Sequence, residues 1–175
     1  HGLTSSGKTG IYIHLREEAI RGGKQVLYLL PEIALTVQMM TRLKRVFGNR
    51  LGIYHSKYSD AERVEIWQKQ LSDQPYDVIL GARSAVFLPF KRLGLVIVDE
   101  EHESSYKQQD PAPRYHARSV AIVMAQAVGA KTLLGTARLK TELQVADAAK
   151  RFLVAGDLRL RRIERDFDAN GRKAE

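Results

Sequence analysis

The chain has 175 residues, of which 44% are hydrophobic and 27% are charged, a composition typical of one globular domain with a substantial core. It contains no cysteine, which excludes disulfides and cysteine-ligated metal centres, so we expect no zinc site in this chain. No stretch is long and apolar enough to span a membrane, and no secretory signal opens the chain, so we expect a cytoplasmic protein without a membrane partner. The formal net charge of +8 favours a polyanionic partner, nucleic acid before a membrane surface.

The first element in chain order is a loop at residues 2–9 that fits the pattern G-x-x-x-x-G-K-[ST]. Backbone N–H groups of such a loop surround nucleotide phosphates, the lysine reaches the outer phosphates, and the final hydroxyl binds Mg²⁺. We therefore predict a nucleotide-binding loop formed by Gly2, Thr4, Ser5, Ser6, Gly7, Lys8 and Thr9, with Thr9 as a Mg²⁺ ligand. The alternative is a flexible N-terminus rich in glycine and serine.

Residues 10–21 favour the phosphate loop over that alternative, because they have the apolar spacing of a helix. A helix that begins directly after the loop would add the dipole of its N-terminus to phosphate binding. A phosphate loop normally leaves the end of a buried strand, and no strand precedes this one. We therefore expect the first strand of this unit to be missing at the N-terminus, before His1.

Short apolar strands alternate with helices along the next part of the chain. We predict strands at residues 25–30, 51–54, 76–80, 93–98 and 131–134, and helices at residues 34–47, from Ser59 onward, and at residues 115–127. The second helix should bury Leu35, Met39, Leu43 and Val46 or Phe47. The third should begin with a capping box of Ser59 and Glu62 and carry Val64, Trp67 and Leu71 inward. This alternation predicts an α/β fold with a mainly parallel sheet covered on both faces.

Residues 95–102, LVIVDEEH, are four apolar residues followed by acidic ones. A buried strand of this kind delivers carboxylates to its C-terminal end, where ligands bind in open α/β sheets. We assign Asp99 to Mg²⁺ and Glu100 to catalysis, as the general base that activates water. The alternative is a solvated acidic turn, which the phosphate loop earlier in the chain makes the poorer interpretation.

Four segments resemble the PriA family of bacterial primosomal helicases. They are residues 30–36 (LPEIALT), 81–87 (GARSAVF), 99–109 (DEEHESSYKQQ) and 114–118 (RYHAR), and the likeness extends over residues 1–137. The resemblance implies the first RecA-like lobe, a three-layer αβα P-loop NTPase domain, of a superfamily 2 DNA helicase that moves 3′ to 5′ and restarts replication. It further implies ATP and Mg²⁺ as cofactors. The implied partners are single-stranded and forked DNA, other primosome proteins and single-strand-binding protein.

The resemblance also places DNA-binding or coupling residues on the sheet edge. Thr36, His55, Arg83 and Ser84 follow strands and suit contacts to the phosphate backbone, although each suits a helix cap or a surface position equally well. The loop after the acidic residues carries Tyr106, Lys107, Arg114 and Tyr115, which suit base stacking and phosphate contact. Its alternative is a flexible surface loop. His102 is assigned to coupling between the nucleotide site and this loop, with a structural histidine as the alternative.

The chain departs from the family pattern at three places. Ser5 replaces a usual glycine, and Gly10 replaces a usual glutamate, which weakens a helix interior by roughly 0.5–1 kcal/mol. The likeness stops after Ala137, so we expect residues 138–175 to be a divergent helical and basic tail or to follow a discontinuity. Without a second lobe and its arginine finger, we expect this chain alone to turn ATP over poorly. Two other functions remain open from the sequence: a non-catalytic nucleic-acid-binding module, and a DNA translocase that does not unwind.

Overall fold

A computed structural model describes residues 16–135 of the chain, and in it five strands form one sheet in which every neighbouring pair is parallel. The strands are β1 (Gln25–Leu29), β2 (Leu51–Tyr54), β3 (Val78–Gly81), β4 (Leu93–Val98) and β5 (Lys131–Leu134), in the spatial order β2-β3-β1-β4-β5. The helices are residues 16–21 (α1), α2 (Val37–Phe47), α3 (Asp60–Leu71) and α4 (Ala117–Ala127). The predicted phosphate loop at residues 2–9, Gly10 and the tail from residue 138 lie outside the described residues.

Strand β1 lies at the centre of the sheet and shows why the fold has three layers. All five of its residues are buried, as expected for a strand covered on both faces. Leu27 and Leu29 face one apolar core, which receives Ile66 from α3 and three alanines of α4. Val26 and Tyr28 face the opposite core, which receives Leu43 and Phe47 from α2. Helices therefore cover both faces, and the predicted αβα fold class is confirmed.

The start of α3 agrees with the prediction in atomic detail. The Ser59 hydroxyl accepts a hydrogen bond from the Glu62 N–H at 3.3 Å, and the Ser59 N–H donates to Oε2 of Glu62 at 2.7 Å. The Ser59 hydroxyl also donates to Oε2 of Glu62 at 2.8 Å, and this bond, together with that from the Ser59 N–H, lowers the pKa of the Glu62 carboxyl. The predicted capping box is therefore present.

The predicted inward face of α3 is wrong. Val64, Trp67 and Leu71 are exposed, whereas Ile66 and Gln70 are buried. Gln70 accepts the Tyr76 N–H at 3.0 Å and donates to the Pro89 carbonyl at 3.3 Å, so its amide is satisfied inside the fold. Because a hydrogen-bonded polar side chain can be buried at modest cost, the helix is rotated away from its more apolar stripe.

Helix α2 settles the choice that the sequence left open. Phe47 is buried with Leu43, whereas Val46 is exposed. Thr36 caps the N-terminus of α2, and its hydroxyl accepts the Met39 N–H at 3.2 Å. Between residues 16 and 135, no helix is long and apolar enough to cross a membrane.

Candidate functional site

Asp99 stands directly after β4, at the edge of the sheet where the parallel strands end. Its N–H donates to the Leu29 carbonyl of β1 at 3.0 Å. Its carboxylate accepts two hydrogen bonds, from the Glu100 N–H to Oδ1 at 3.0 Å and from the Tyr28 hydroxyl to Oδ2 at 2.9 Å. Because Tyr28 is 1% exposed and belongs to the central strand, it is a rigid donor. The carboxylate orientation is therefore set from two sides.

Glu100 has a backbone conformation that side chains rarely adopt, with φ at +48°. The left-handed region costs a non-glycine residue roughly 1–2 kcal/mol. Such strain is concentrated at functional sites, where the surrounding structure holds it in place. His102 lies nearby, with its Nε2 3.8 Å from Oε2 of Glu100 and 3.8 Å from Oε1 of Glu103. The predicted base thus lies next to the predicted Mg²⁺ ligand, within an acidic turn that we define as residues 99–102.

Glu101 anchors the acidic turn to the rest of the domain. Its N–H donates to the Gly135 carbonyl after β5 at 2.8 Å, and its carboxylate accepts from Nη1 of Arg118 on α4 at 2.8 Å. The Glu101 side chain is only 14% exposed, which strengthens this ion pair compared with a surface one. The sequence reasoning assigned a role to neither residue. The available signals were the positions of Glu101 in the segment DEEHESSYKQQ and of Arg118 in the segment RYHAR.

Tyr106 connects the loop after the acidic turn to Asp99. The loop begins with a short 3₁₀ helix (Ser104–Tyr106), and the Tyr106 hydroxyl donates to the Asp99 carbonyl at 2.6 Å. Tyr106 is 1% exposed, so its ring has no face available to a nucleobase. The predicted stacking role of Tyr106 is therefore wrong, whereas its position fits the predicted coupling role.

Arg83 reaches the same loop from the other side. It opens the 3₁₀ segment Arg83–Phe87 after β3. Its Nη1 donates to the carbonyls of Ser105, at 3.3 Å, and Lys107, at 3.1 Å. These two carbonyls flank Tyr106 in the chain. A continuous set of hydrogen bonds and covalent links therefore joins Arg83 to Asp99.

A cleft of about 180 Å³ lies on this sheet edge, and we call it the edge cleft. It is lined by Leu30, Pro31, Glu32, Ser56, Ala82, Arg83, Ser84, Ser105, Tyr106, Gln108 and Tyr115. These residues follow β1, β2, β3 and β4, whose C-terminal ends meet at one edge because the strands are parallel. The structure thus brings Arg83, Ser84, Tyr106 and Tyr115 together in one cleft, and their role in binding DNA stays a prediction.

Other predicted DNA-side residues do not line the edge cleft. Thr36 is exposed and caps α2, which matches the alternative reading of that residue. His55 is buried, and its Nδ1 accepts the Lys57 N–H at 3.0 Å, while the neighbouring Ser56 lines the cleft instead. Lys107 and Arg114 are exposed, and a guanidinium nitrogen of Arg114 lies 3.9 Å from a carboxylate oxygen of Asp110.

The donor set around Asp99 fits Mg²⁺ better than a metal that needs an all-protein cage. Within residues 16–135, no group of three or more histidine, aspartate or glutamate side chains could hold a metal ion. Mg²⁺ keeps several waters and is bound by one or two carboxylates together with substrate phosphates. A single fixed aspartate therefore suits Mg²⁺. Lys8 and Thr9, the other predicted contributors, lie outside the described residues.

Comparison with known proteins gives a consistent result. The DEAD/DEAH box helicase family matches residues 1–145. The replication restart protein PriA of Haemophilus influenzae is 48% identical over 136 residues, which cover 78% of this chain and 18% of that protein. PriA of Bacillus subtilis is 46% identical over 137 residues, which cover 78% of this chain and 17% of that protein. The chain thus spans about a fifth of the length of the curated relatives that it matches.

Solved structures support the fold. The C-terminal part of the Fun30 ATPase domain has a TM-score of 0.54 at 14% identity, over 85% of this chain and 47% of that chain. The Mycobacterium smegmatis helicase Lhr bound to ssDNA and AMP-PNP has a TM-score of 0.54 at 14% identity, over 83% of this chain and 19% of that chain. At this identity the likeness shows a shared ATPase-domain fold. The RecA-like fold predicted from the sequence is confirmed.

Proposed function

This chain belongs to the DEAD/DEAH box helicase family, and we propose that it is the ATP-binding lobe of a replication-restart DNA helicase. The similarity to PriA proteins supports the role in replication restart. The observation that carries the proposal is the hydrogen-bonded connection from Arg83 in the edge cleft, through the loop at Tyr106, to the Asp99 carbonyl. It joins a site suited to DNA with a site suited to ATP hydrolysis.

On the ATP side, each residue has a defined task. Lys8 and the amides of the phosphate loop would hold the outer phosphates, and Thr9 and Asp99 would hold Mg²⁺, which would supply neutralisation of the charge that develops on the phosphate oxygens. Glu100 orients the attacking water and accepts its proton, which a carboxylate at hydrogen-bonding distance can do. The Tyr28 hydroxyl and the Glu100 N–H keep the Asp99 carboxylate in position.

On the DNA side, the edge cleft offers donors without a fixed sequence preference. Arg83 and Ser84 are half-buried on its wall and suit contacts to phosphate oxygens. Lys107 and Arg114 are exposed and adjoin lining residues in the chain. The Thr36 hydroxyl accepts a hydrogen bond from a backbone N–H, and its own O–H can donate to a phosphate. Backbone contacts of this kind suit a protein that moves along single-stranded DNA.

Coupling between the two sides follows from the competing demands on Arg83. A DNA phosphate that attracts its guanidinium weakens the bonds to the Ser105 and Lys107 carbonyls. The loop can then shift Tyr106, which holds the Asp99 carbonyl. Occupation of the edge cleft by DNA thereby changes the position of the metal-binding aspartate. We propose that this cycle drives 3′-to-5′ movement and the unwinding of forked DNA, together with primosome proteins and single-strand-binding protein.

The test is ATP turnover by the full-length protein with and without single-stranded DNA. We expect DNA to stimulate turnover, and Glu100→Gln to lower the stimulated rate about 10²- to 10⁴-fold while nucleotide binding is retained. Glu65→Gln is the matched control, because it removes an exposed carboxylate of α3 that has no predicted role. Unchanged turnover in Glu100→Gln contradicts the assignment. Turnover without strand displacement points instead to a translocase, and no turnover at all to a non-catalytic DNA-binding module.

A further inference from the structure

Phe87 is an exposed aromatic residue on the sheet edge that the ATP and DNA assignments leave without a role. It ends the 3₁₀ segment Arg83–Phe87. Its side chain is 50% exposed, whereas Ala85, Val86 and Leu88 around it are at most 3% exposed. These buried neighbours fix the segment to the core, so the Phe87 ring is held at the surface by a rigid backbone. The exposed part of the ring is a flat apolar surface that a ligand can reach.

The ring of Phe87 is also held from the side. Its centroid lies 4.8 Å from that of Tyr115, with the ring planes at 71°, an edge-to-face contact. Tyr115 lines the edge cleft and is half-buried. Burial raises the pKa of the Tyr115 hydroxyl, and the charge and hydrogen bond of Arg83 oppose that rise. The aromatic pair therefore stands beside a guanidinium at the wall of the cleft.

An apolar ring close to a guanidinium matches the base and the phosphate of a nucleotide. Arg83 on the cleft wall attracts phosphates, a contact that does not distinguish one base from another. An exposed aromatic ring provides a stacking surface, which is tolerant of sequence because every base has a flat π-face. A protein partner would equally cover an apolar ring, but the positive charge of Arg83 favours a polyanion that carries flat apolar groups.

We propose that Phe87, held against Tyr115, is a stacking platform for one base of the single-stranded DNA in the edge cleft. The inference rests on the proposed function, since it takes DNA to be the occupant of that cleft. DNA is then bound by backbone contacts and by one stacked base at the same time. The stacked base marks one position along the strand, which fixes the register of the DNA relative to Arg83.

The experiment measures the affinity of the full-length protein for two labelled oligonucleotides at one fixed salt concentration, because backbone binding depends strongly on salt. One is oligo-dT and the other is an abasic strand of equal length. Phe87→Ala should weaken oligo-dT binding roughly 5- to 100-fold and leave abasic binding unchanged. Phe87→Leu should show the same loss, because it keeps an apolar contact with Tyr115 but has no flat ring. Phe87→Trp should restore oligo-dT binding.

Two control variants separate this inference from the proposed function. Trp67→Ala removes an exposed aromatic ring from α3, away from the cleft, and should change neither affinity. Arg83→Ala removes a backbone contact and should weaken both oligonucleotides. If Phe87→Leu lowers the affinity for both oligonucleotides equally, or for neither, Phe87 is not a stacking platform. If Arg83→Ala leaves both affinities unchanged, the edge cleft itself is not the DNA site and the proposed function fails as well.

Discussion

The acidic turn and the edge cleft lie on the same sheet edge but hold their polar groups in different ways. In the acidic turn, Asp99 and Glu101 have hydrogen bonds to β1, α4 and the end of β5, and Glu100 is held in a strained conformation. In the edge cleft, Arg83 and Ser84 remain half-buried on an open wall. Catalytic carboxylates benefit from fixed geometry, whereas a site for a moving strand needs donors that water and phosphate can reach.

Disrupting the edge cleft alone should have a larger effect than disturbing the acidic turn. A Cβ at Gly81 would lie 2.5 Å from the Ala85 Cβ and 3.0 Å from the Tyr54 carbonyl oxygen, so Gly81→Ala pushes the Arg83–Phe87 segment off β3. We expect a loss of about 1–3 kcal/mol in local stability. Hydrogen exchange of the β3 amides in the full-length protein measures it. Gly22→Ala is the control, because its nearest contact is an ordinary 3.4 Å; equal exchange in both variants contradicts the prediction.

A smaller and more local change disturbs the acidic turn. Tyr28→Phe removes the hydroxyl that donates to Oδ2 of Asp99 but keeps the ring packed against the Arg16 guanidinium, 4.7 Å away. Hydrogen bonds to charged groups contribute about 1.5–3 kcal/mol, so the loss of this one should weaken Mg²⁺ binding at Asp99. We expect nucleotide binding to need a roughly tenfold higher Mg²⁺ concentration. A fluorescent ATP analogue titrated with Mg²⁺ measures this. Binding without Mg²⁺ should match the unsubstituted protein, and an unchanged Mg²⁺ titration would show that Tyr28 does not position Asp99.

The smallest expected effect is a dependence of folding stability on pH that arises from His116. Burial lowers the pKa of His116, the positive charges of Arg118 and Lys107 lower it further, and Glu101 opposes them. A lowered pKa in the folded state means that the unfolded chain takes up the proton first. Stability therefore falls as the pH drops below about 6.5, the ordinary histidine pKa, and is unaffected above it.

His116→Gln protein should lose less folding stability than the unsubstituted protein as the pH drops. Hydrogen exchange of α4, followed from neutral to mildly acidic pH in both proteins, makes the comparison. The two proteins should agree at neutral pH, which serves as the internal control. Parallel losses of stability at acidic pH would show that His116 is not the group responsible.

Strong local patterns predicted most of the fold. The apolar run of β1 indicated burial on both faces, and Ser59 with Glu62 predicted the start of α3, because both depend on residues close in sequence. The buried face of α3 could not be predicted from residues close in sequence. Buried Gln70 is stabilised by hydrogen bonds to Tyr76 and Pro89, which only the folded chain brings near.

The residues of the candidate site were likewise predictable only where the signal lay in a short stretch of sequence. Asp99 and Glu100 were predictable because a buried strand ends in acidic residues. Tyr28 resembled any apolar strand residue, and nothing local shows that its hydroxyl meets a carboxylate 71 residues away. Tyr106 in an exposed polar loop suggested stacking, yet its ring is buried because its hydroxyl finds the Asp99 carbonyl.

We propose that the acidic turn and the edge cleft work together through Tyr106. The most direct measurement is the ratio of ATP turnover with saturating single-stranded DNA to turnover without it, in Tyr106→Phe full-length protein. Removing the bond to a buried carbonyl costs about 1–3 kcal/mol, so we predict at least roughly fivefold less stimulation, with DNA affinity nearly unchanged. Tyr58→Phe, which alters a half-buried tyrosine outside the cleft lining, should keep the full ratio. A Tyr106→Phe protein with the unsubstituted ratio contradicts the account.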